Sequence, residues 1–446
     1  MSTIVALSTP RGRGALAVLR LSGPDAIAIA RRMGLHEIED RRATLTMLLR
    51  PRDEEELDQV LLTCFRAPHS LTGEDVVEIS CHGSPAVVRS IVDTTLELGA
   101  VLAGPGEFTL RALSNGKINL AQAEAIRDLI AAQTDAAVKQ ASRQLNGELS
   151  NALAPLKEKL IEAIVVLESA LEFVEDDLPA LRANEIENEL LEVRRGVEKL
   201  ARTYAAGRLL QEGIKVAIAG RPNVGKSSLF NSLIERERAI VTDIPGTTRD
   251  TLSEAIDLDG IPVILTDTAG VRETSDDIET LGIERTRRAM GDSDLVLVVL
   301  DGSTELGPSD RELLNQTEQS PRLVVRNKSD LPEFNGSSCL SELQPINVSA
   351  RTGEGLATLR SAILGSLNNN GVEDGGLLIT NVRHYDLLCN AQRELEAARA
   401  ALQVRHSEEV VLAPLHNALR FIGQITGETT TEDILSEIFA TFCIGK

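Results

Sequence analysis

The stretch GIKVAIAGRPNVGKSSLFN, residues 213–231, dictates most of what the middle of this chain can be. An apolar run from Ile214 to Ala219 ends in Gly220-Arg-Pro-Asn-Val-Gly225-Lys226-Ser227, and an amphipathic pattern (Leu229, Phe230, Leu233) follows at once. Strand, glycine loop and helix start, in that order, are the context a phosphate-binding loop requires. The two glycines let the backbone curl so that successive N–H groups face phosphate oxygens. The helix N-terminus adds a partial positive charge. Lys226 is long enough to reach β- and γ-phosphates, and the Ser227 hydroxyl is placed to hold Mg²⁺.

Four further elements follow in the order a GTPase needs. Thr247-Thr248 in DIPGTTRD lies where a switch loop brings a hydroxyl to Mg²⁺. Asp267-Thr-Ala-Gly270 ends the apolar run IPVILT; its carboxylate suits a metal-bound water and the Gly270 N–H a γ-phosphate. Asn327-Lys328-Ser329-Asp330 ends RLVVR. A carboxylate there accepts from the two adjacent N–H donors of guanine, which adenine lacks, so the element selects GTP over ATP. Ser349-Ala350-Arg351 completes the base pocket. Where the commonest small GTPases place the water-orienting Gln, this chain has Val271. Glu273, Asp276, Asp277 and Glu279 follow closely, and spacing does not choose among them. Arg249, Arg272 and Arg285 are nearby, and none is marked as an arginine finger. Asn223 has two readings, a turn former or a carboxamide ligand for a monovalent cation.

With 446 residues, 42% of them hydrophobic, the chain holds roughly three domains. Aromatics are 2% and Trp is absent, so aliphatic side chains and Ala must fill the cores. No run reaches the length of a membrane span, and no basic patch precedes an apolar core at the N-terminus, so a cytoplasmic protein without a secretory signal is expected. Five cysteines without CxxC spacing signal neither a disulfide framework nor zinc. Net charge is −21, which argues against broad electrostatic binding of nucleic acid. Residues 1–52 nevertheless carry nine Arg against four acids, before the acidic run DEEELD at 53–58.

Residues 1 to about 117 mix short strands with turns and predict an α+β domain: IVALST and GALAVLRLSG as paired strands, DAIAIARRM as a helix capped by Asp25 or Ser22. From Asn119 to about Leu210 apolar residues recur at helical spacing, interrupted at Gly147 and Pro155, with a turn at DDLPA. Residues 213–367 alternate strand and helix, an α/β pattern with a hairpin turn at Asp259-Gly260. NNNGVEDGG at 368–376 reads as a linker, and helical periodicity returns over 381–443. Helices on both flanks suggest that the nucleotide domain is inserted into a helical one. The expected divisions are 1–117, 118–212, 213–372 and 373–446.

The strings TIVALSTPRGRGALAVLRLSG, HSLTGEDVVEISCHG, PGEFTLRALSNGKINLAQAEAI, AGRPNVGKSSLFN, AIVTDIPGTTRD, TDTAGVRETSDDIETLGIERT, VRNKSD, SARTGEG and the ending FCIGK closely resemble the tRNA modification GTPase family MnmE, also called TrmE. The resemblance implies an N-terminal tetrahydrofolate-binding domain that also dimerises, a helical domain built from both flanks, and an inserted P-loop G domain. It implies GTP hydrolysis when two G domains meet face to face around K⁺. Carried over, nucleotide contacts fall on Asn223, Val224, Gly225, Lys226, Ser227, Ser228, Thr242, Thr247, Thr248, Asp267, Thr268, Ala269, Gly270, Asn327, Lys328, Asp330, Ser349, Ala350 and Arg351. Mg²⁺ falls to Ser227 and Thr248, and K⁺ to Asn223, Thr242, Ile244 and Thr247. Glu279 becomes the residue that orients the attacking water. Pro245 departs from several members, but an Ile244 carbonyl survives that change.

The family works as a homodimer with a flavoprotein, MnmG (GidA), in a heterotetramer-type complex. The pair places aminomethyl-type or 5-carboxymethylaminomethyl groups on the wobble uridine of tRNAs. A 5-formyl- or methylene-tetrahydrofolate supplies the carbon; the implied folate contacts are Arg20, Glu78, Lys117 and Lys446. Cys443 has two readings, a thiol with a role or a buried small hydrophobe. Two alternatives compete with this assignment. One is a ribosome-assembly GTPase switch, since GRPNVGKSS and IPGTTRD occur in that class too; the other is a nucleotide-gated scaffold.

Overall fold

The first hundred residues build a sheet whose strands run β3-β4-β5-β2-β1-β6 among the described residues. They are β1 (Ile4–Leu7), β2 (Leu16–Ser22), β3 (Thr44–Arg50), β4 (Glu55–Phe65), β5 (Val76–His82) and β6 (Val101–Leu102). The structure is a computed structural model, and it describes residues 2–34, 39–172, 180–236, 238–240, 252–267, 289–332, 343–367, 376–428 and 432–445. All strand pairs in this sheet are antiparallel except β1 with β6. Alternation sends Leu19, Leu21, Leu62, Val77 and Ile79 to one face, where helices α1 (Ala26–Arg32) and α2 (Pro85–Glu97) supply Ile29 and Ile91 to the same core. Cys64 and Cys81 lie in that core, and burial pushes both thiols up to about 11.

Two expectations fail in this region. Asp25 stands at the N-cap of α1, but its side chain makes no capping bond. The Ser22 hydroxyl is committed to Thr72 and Glu74 instead, while Thr3 Oγ1 accepts from the Asp25 N–H. The β3–β4 hairpin was also not anticipated. Its turn carries Asp53 and Glu54, and the acidic run continues into β4.

The chain divides into two units. The first comprises Met1–Arg127, Gln144–Lys157 and His416–Lys446. In it α3 (Glu107–Ser114) follows the sheet, and Arg111, 6% exposed, reaches Glu74, Glu107 and the Ser2 carbonyl. Leu120 and Ala123 pack against Phe439 and Phe442 from the far end of the chain. The segment 443–445 lies along the sheet: Gly106 N–H donates to the Cys443 carbonyl, and Ser8 Oγ to the Gly445 carbonyl. Cys443 itself is exposed, so it is not the buried hydrophobe.

The second unit, Asp128–Arg143 with Glu158–Leu415, holds the nucleotide sheet and the helices flanking it. Helical periodicity is realised as α4 (Leu120–Ala131), α5 (Asp135–Leu145), α6 (Glu148–Glu172), α7 (Ala180–Arg202) and α8 (Tyr204–Glu212). Pro155 does not break α6, which runs through it at the cost of one ladder bond. Most of DDLPA, and 368–375 of the expected linker, lie outside the described residues.

The nucleotide sheet runs β13-β12-β11-β7-β10-β9-β8 among the described residues. Its strands are β7 (Ile214–Ala219), β8 (Arg238–Ile240), β9 (Leu252–Leu258), β10 (Ile261–Asp267), β11 (Leu295–Asp301), β12 (Arg322–Asn327) and β13 (Ile346–Asn347). β10, β7, β11, β12 and β13 are parallel; β8, β9 and β10 are joined antiparallel. Asp259 (φ +51°) and Gly260 (φ +89°) make the expected hairpin turn. Helices α9 (Lys226–Arg236), α10 (Pro308–Gln316) and α11 (Leu356–Leu367) accompany the sheet. β11 is buried throughout, as a strand covered on both faces must be.

After the sheet, α12 (Val382–Gln403), α13 (Glu408–Thr426) and α14 (Glu432–Ala440) follow. α12 packs along α7, with Arg399 and Gln403 both reaching Glu187, so helices from the two flanks meet. The extended residues 376–381 lead into α12 and are held by Thr203 Oγ1, which accepts from the Ile379 N–H. Gly207 of α8 lets this segment approach: a Cβ there would sit 2.1 Å from the Ile379 carbonyl oxygen. Gly207→Ala is therefore expected to destabilise the second unit by about 1–3 kcal/mol, seen as a lower denaturation midpoint with helix content retained below it.

Candidate functional site

Four of the five nucleotide-loop elements have at least one end among the described residues, and they converge on the C-terminal ends of the parallel strands. This is where open α/β sheets bind ligands. The loop Gly220–Gly225 links β7 to α9, with Asn223 at φ +64° and Gly225 at φ +94°. Glycine is required twice for lack of room as well. A Cβ at Gly225 would meet Asn327 Nδ2 at 2.3 Å, and one at Gly220 would meet the Val299 carbonyl oxygen at 2.5 Å. Lys226 curls over the loop, its Nζ donating to the Gly220 carbonyl at 2.7 Å and the Arg221 carbonyl at 2.9 Å. Val224 is buried beneath, while Ser227 and Ser228 face the open side.

The candidate Mg²⁺ position is a pair of oxygens. Ser227 Oγ donates to Asp267 Oδ2 at 2.9 Å, and Asp267 is 1% exposed. A hydroxyl in the first turn of α9 and a buried carboxylate at the end of β10 are hard donors of the kind Mg²⁺ takes. Among the described residues no cluster of three or more His, Cys, Asp or Glu forms a metal cage.

The base-recognition elements are bound to the phosphate loop itself. Asn327, 2% exposed, donates from Nδ2 to the Val224 carbonyl at 2.8 Å and accepts at Oδ1 from the Ala350 N–H at 3.1 Å. Lys328, at φ +65°, reaches the Asn223 carbonyl at 3.0 Å and Asp301 Oδ2 at 2.6 Å. Asp330 accepts from Ser349 Oγ at 2.7 Å, and that bond holds its carboxyl below the usual range. Ser349 is buried and Arg351 exposed. Thr242, Ile244, Thr247, Thr248, Thr268, Ala269, Gly270, Val271, Glu279 and Lys446 lie outside the described residues, as do Glu273, Asp276, Asp277, Arg249, Arg272 and Arg285.

Three residues escaped the motif reading. Arg221 of the loop donates to Thr304 Oγ1 at 2.5 Å and faces Asp310 Oδ2 at 3.2 Å. Asp310 is buried and also accepts from the Gly307 N–H, closing the first turn of α10. Asp301 ends β11 and accepts from Ser303 N–H and Oγ as well as from Lys328. Burial opposes its charge, but those three bonds outweigh it and depress the pKa. A depressed folded-state pKa stabilises above the unfolded value and stops doing so as pH falls through the folded one. The Lys328–Asp301 contribution is thus complete at neutral pH and lost below the ordinary carboxylate value of about 4.

In the first unit Arg20 and Glu78 pair across β2 and β5, with Nη2 to Oε1 2.8 Å and Nε to Oε1 2.9 Å. Arg20 Nη1 also points at the Gly445 carbonyl at 3.4 Å, and its guanidinium lies 5.8 Å from the Phe108 ring centre. Lys117 is exposed, its side chain beside Gly73. Arg20, Glu78 and the segment before Lys446 thus come together; no bond joins Lys117 to them among the described residues.

Asn327→Ala removes both ties between the phosphate loop and the base loops, each worth about 1 kcal/mol. A fluorescent GDP titration should show affinity reduced at least about tenfold, with the secondary structure by circular dichroism unchanged.

A family profile described as the MnmE helical domain matches residues 120–443, spanning the nucleotide sheet, and one described as the GTP-binding protein TrmE N-terminus matches residues 3–117. The tRNA modification GTPase MnmE of Koribacter versatilis is 47% identical over 451 residues, covering 100% of this chain and 99% of the relative. That of Aquifex aeolicus is 42% identical over 446 residues, covering 99% of each. Among solved structures, the G domain of the T. maritima FeoB iron transporter is 29% identical, covering 34% of this chain and 98% of that one, with a TM-score of 0.27. The chain belongs to the tRNA modification GTPase MnmE family.

Proposed function

We propose that this protein is a K⁺-dependent GTPase that acts as a homodimer and, with an MnmG-type flavoprotein, modifies the wobble uridine of tRNAs. The observation that carries the reading is the joining of a phosphate loop to guanine-type recognition loops through Asn327, in a chain that aligns end to end with relatives of that name. Asp330 is the acceptor for the guanine N–H pair, with Ser349 setting its rotamer. Lys226 leaves the loop carbonyls for the β- and γ-phosphate oxygens when nucleotide enters. Ser227 and Thr248 hold Mg²⁺, with Asp267 oriented by Ser227. Mg²⁺, when bound, offsets charge on the β- and γ-phosphates.

Val271 cannot orient a water; the resemblance to the family assigns that role to Glu279. The positive charge that an arginine would give is assigned to K⁺ held by Asn223, Thr242, Ile244 and Thr247. The exposed, left-handed Asn223 backs this assignment, because its carbonyl is fixed by Lys328 while its side chain is left facing outward.

Arg20, Glu78, Lys117 and Lys446 are assigned to a tetrahydrofolate. A carboxylate acceptor suits a pterin edge and cations suit a glutamate tail; the partly shielded Arg20–Glu78 pair supplies one of each. The domain divisions 1–117, 118–212, 213–372 and 373–446 go with the same reading. No helix among the described residues is long and apolar enough to cross a membrane.

GTP turnover should be slow in Na⁺ and rise sharply in K⁺, and Glu279→Ala should lose that rise by a factor of about a hundred or more while binding GDP normally. Normal K⁺-stimulated turnover by Glu279→Ala would refute the assignment of the water-orienting residue. Nucleoside analysis of tRNA from cells lacking the chain should show wobble uridine without its substituent; unchanged uridine would refute the pathway assignment.

A further inference from the structure

The chain has only two tyrosines, and they meet face to face. Tyr204 begins α8 and Tyr385 lies in the first turn of α12; their ring centres are 4.4 Å apart with 15° between planes. Both are half-buried and border a groove of about 650 Å³ between α7, α8 and α12. Glu198 and Arg202 of α7 and Cys389 and Gln392 of α12 line the same groove. Cys389 lies one helical turn after Tyr385 on α12.

A pair of rings placed only to fill a core would be enclosed, whereas this one opens on space large enough for a ligand. The rim is polar, which does not suit an apolar helix. The three helices around the groove are each electrically balanced, and the charges lining it are Glu198 and Arg202, paired with each other. The Arg202 side chain is 78% exposed. An aromatic face, a side-chain amide able to donate and accept, and an accessible guanidinium together match one flat heteroaromatic base and its phosphate.

We infer that this groove receives one unstacked base of the tRNA, stacked on the tyrosine pair with Arg202 on the flanking phosphate. The identity of the RNA rests on the proposed function; the groove itself shares no residue with the nucleotide site. Base–aromatic stacking tolerates any base, so the groove would position the RNA without reading its sequence.

The test uses the full chain. Because Trp is absent, its near-ultraviolet emission is dominated by these two tyrosines. Titration with an unmodified tRNA transcript should quench that emission to a plateau, and uridine monophosphate at equal concentration should not. Tyr204→Ala and Tyr385→Ala should weaken transcript binding about tenfold, whereas Tyr204→Phe and Tyr385→Phe should bind as the parent does. Arg202→Gln, a change at an exposed side chain, should weaken binding and reduce the slope of log affinity against log salt by about one. GTP hydrolysis should be unchanged in all five variants. No quench, equal quenching by the mononucleotide, or parental affinity in the Ala and Arg202→Gln variants would overturn the inference. A transcript that fails to quench, while cells lacking the chain lose the wobble substituent, would remove the groove and leave the proposed function standing.

Discussion

The side chain of Asn327 is the joint on which the nucleotide site depends. It stands at the end of β12, and its two polar ends hold two other loops, the Val224 carbonyl on one side and the Ala350 N–H on the other. The bond to Val224 is buried and that from Ala350 partly so, and an unmet buried amide group costs about 1–3 kcal/mol. The same side chain also explains Gly225, because any larger residue there would collide with Asn327 Nδ2. A glycine in one motif and an asparagine a hundred residues later therefore constrain each other. Lys328 adds a second tie from the neighbouring position, through the Asn223 carbonyl and Asp301. The loop that would cradle phosphates is thus shaped by the groups that would recognise the base.

Much of this architecture was legible in the sequence, because local periodicity and turn chemistry agreed with the final fold. The strands KVAIAG, IPVILTD and RLVVRNK are short apolar runs that end in motif residues, and each became a strand ending at the site. Asp259-Gly260 was readable because only a few residue pairs accept positive φ at both positions. The β3–β4 hairpin was not, since an acidic run masks the start of β4 and neither strand alternates cleanly. Pro155 misled in the other direction: it lies in a long helix whose remaining ladder bonds outweigh the one it removes. Asp25 looked like a cap by position, but a hydroxyl from Thr3 had already taken the N–H side of that turn.

Site residues divided along a similar line. Positions proposed to contact nucleotide appear as motifs, and their spacing identifies them. Positions fixed by contact with other protein atoms do not. Arg221 and Asp310 meet across 89 residues of sequence (310 less 221), Asp301 and Lys328 across 27, and nothing near any of them announces its partner. The Arg20–Glu78 pair belongs to the same class; only resemblance to a family marked those two, and their cross-strand register then explained the pairing. The tyrosine pair is the extreme case, two isolated residues 181 positions apart (385 less 204) whose meeting only the packing of α8 and α12 reveals.

The Ser8–Gly445 bond closes a loop of 437 residues. Closure on that scale is entropically slow, though the extra free energy grows only with the logarithm of length. During synthesis the N-terminal sheet has all its own strands long before residue 443 emerges, so Arg20 stands without its Gly445 neighbour until after the nucleotide domain has been made. A newly made chain would in this way acquire its phosphate loop before the completed surface around Arg20, a built-in order of maturation.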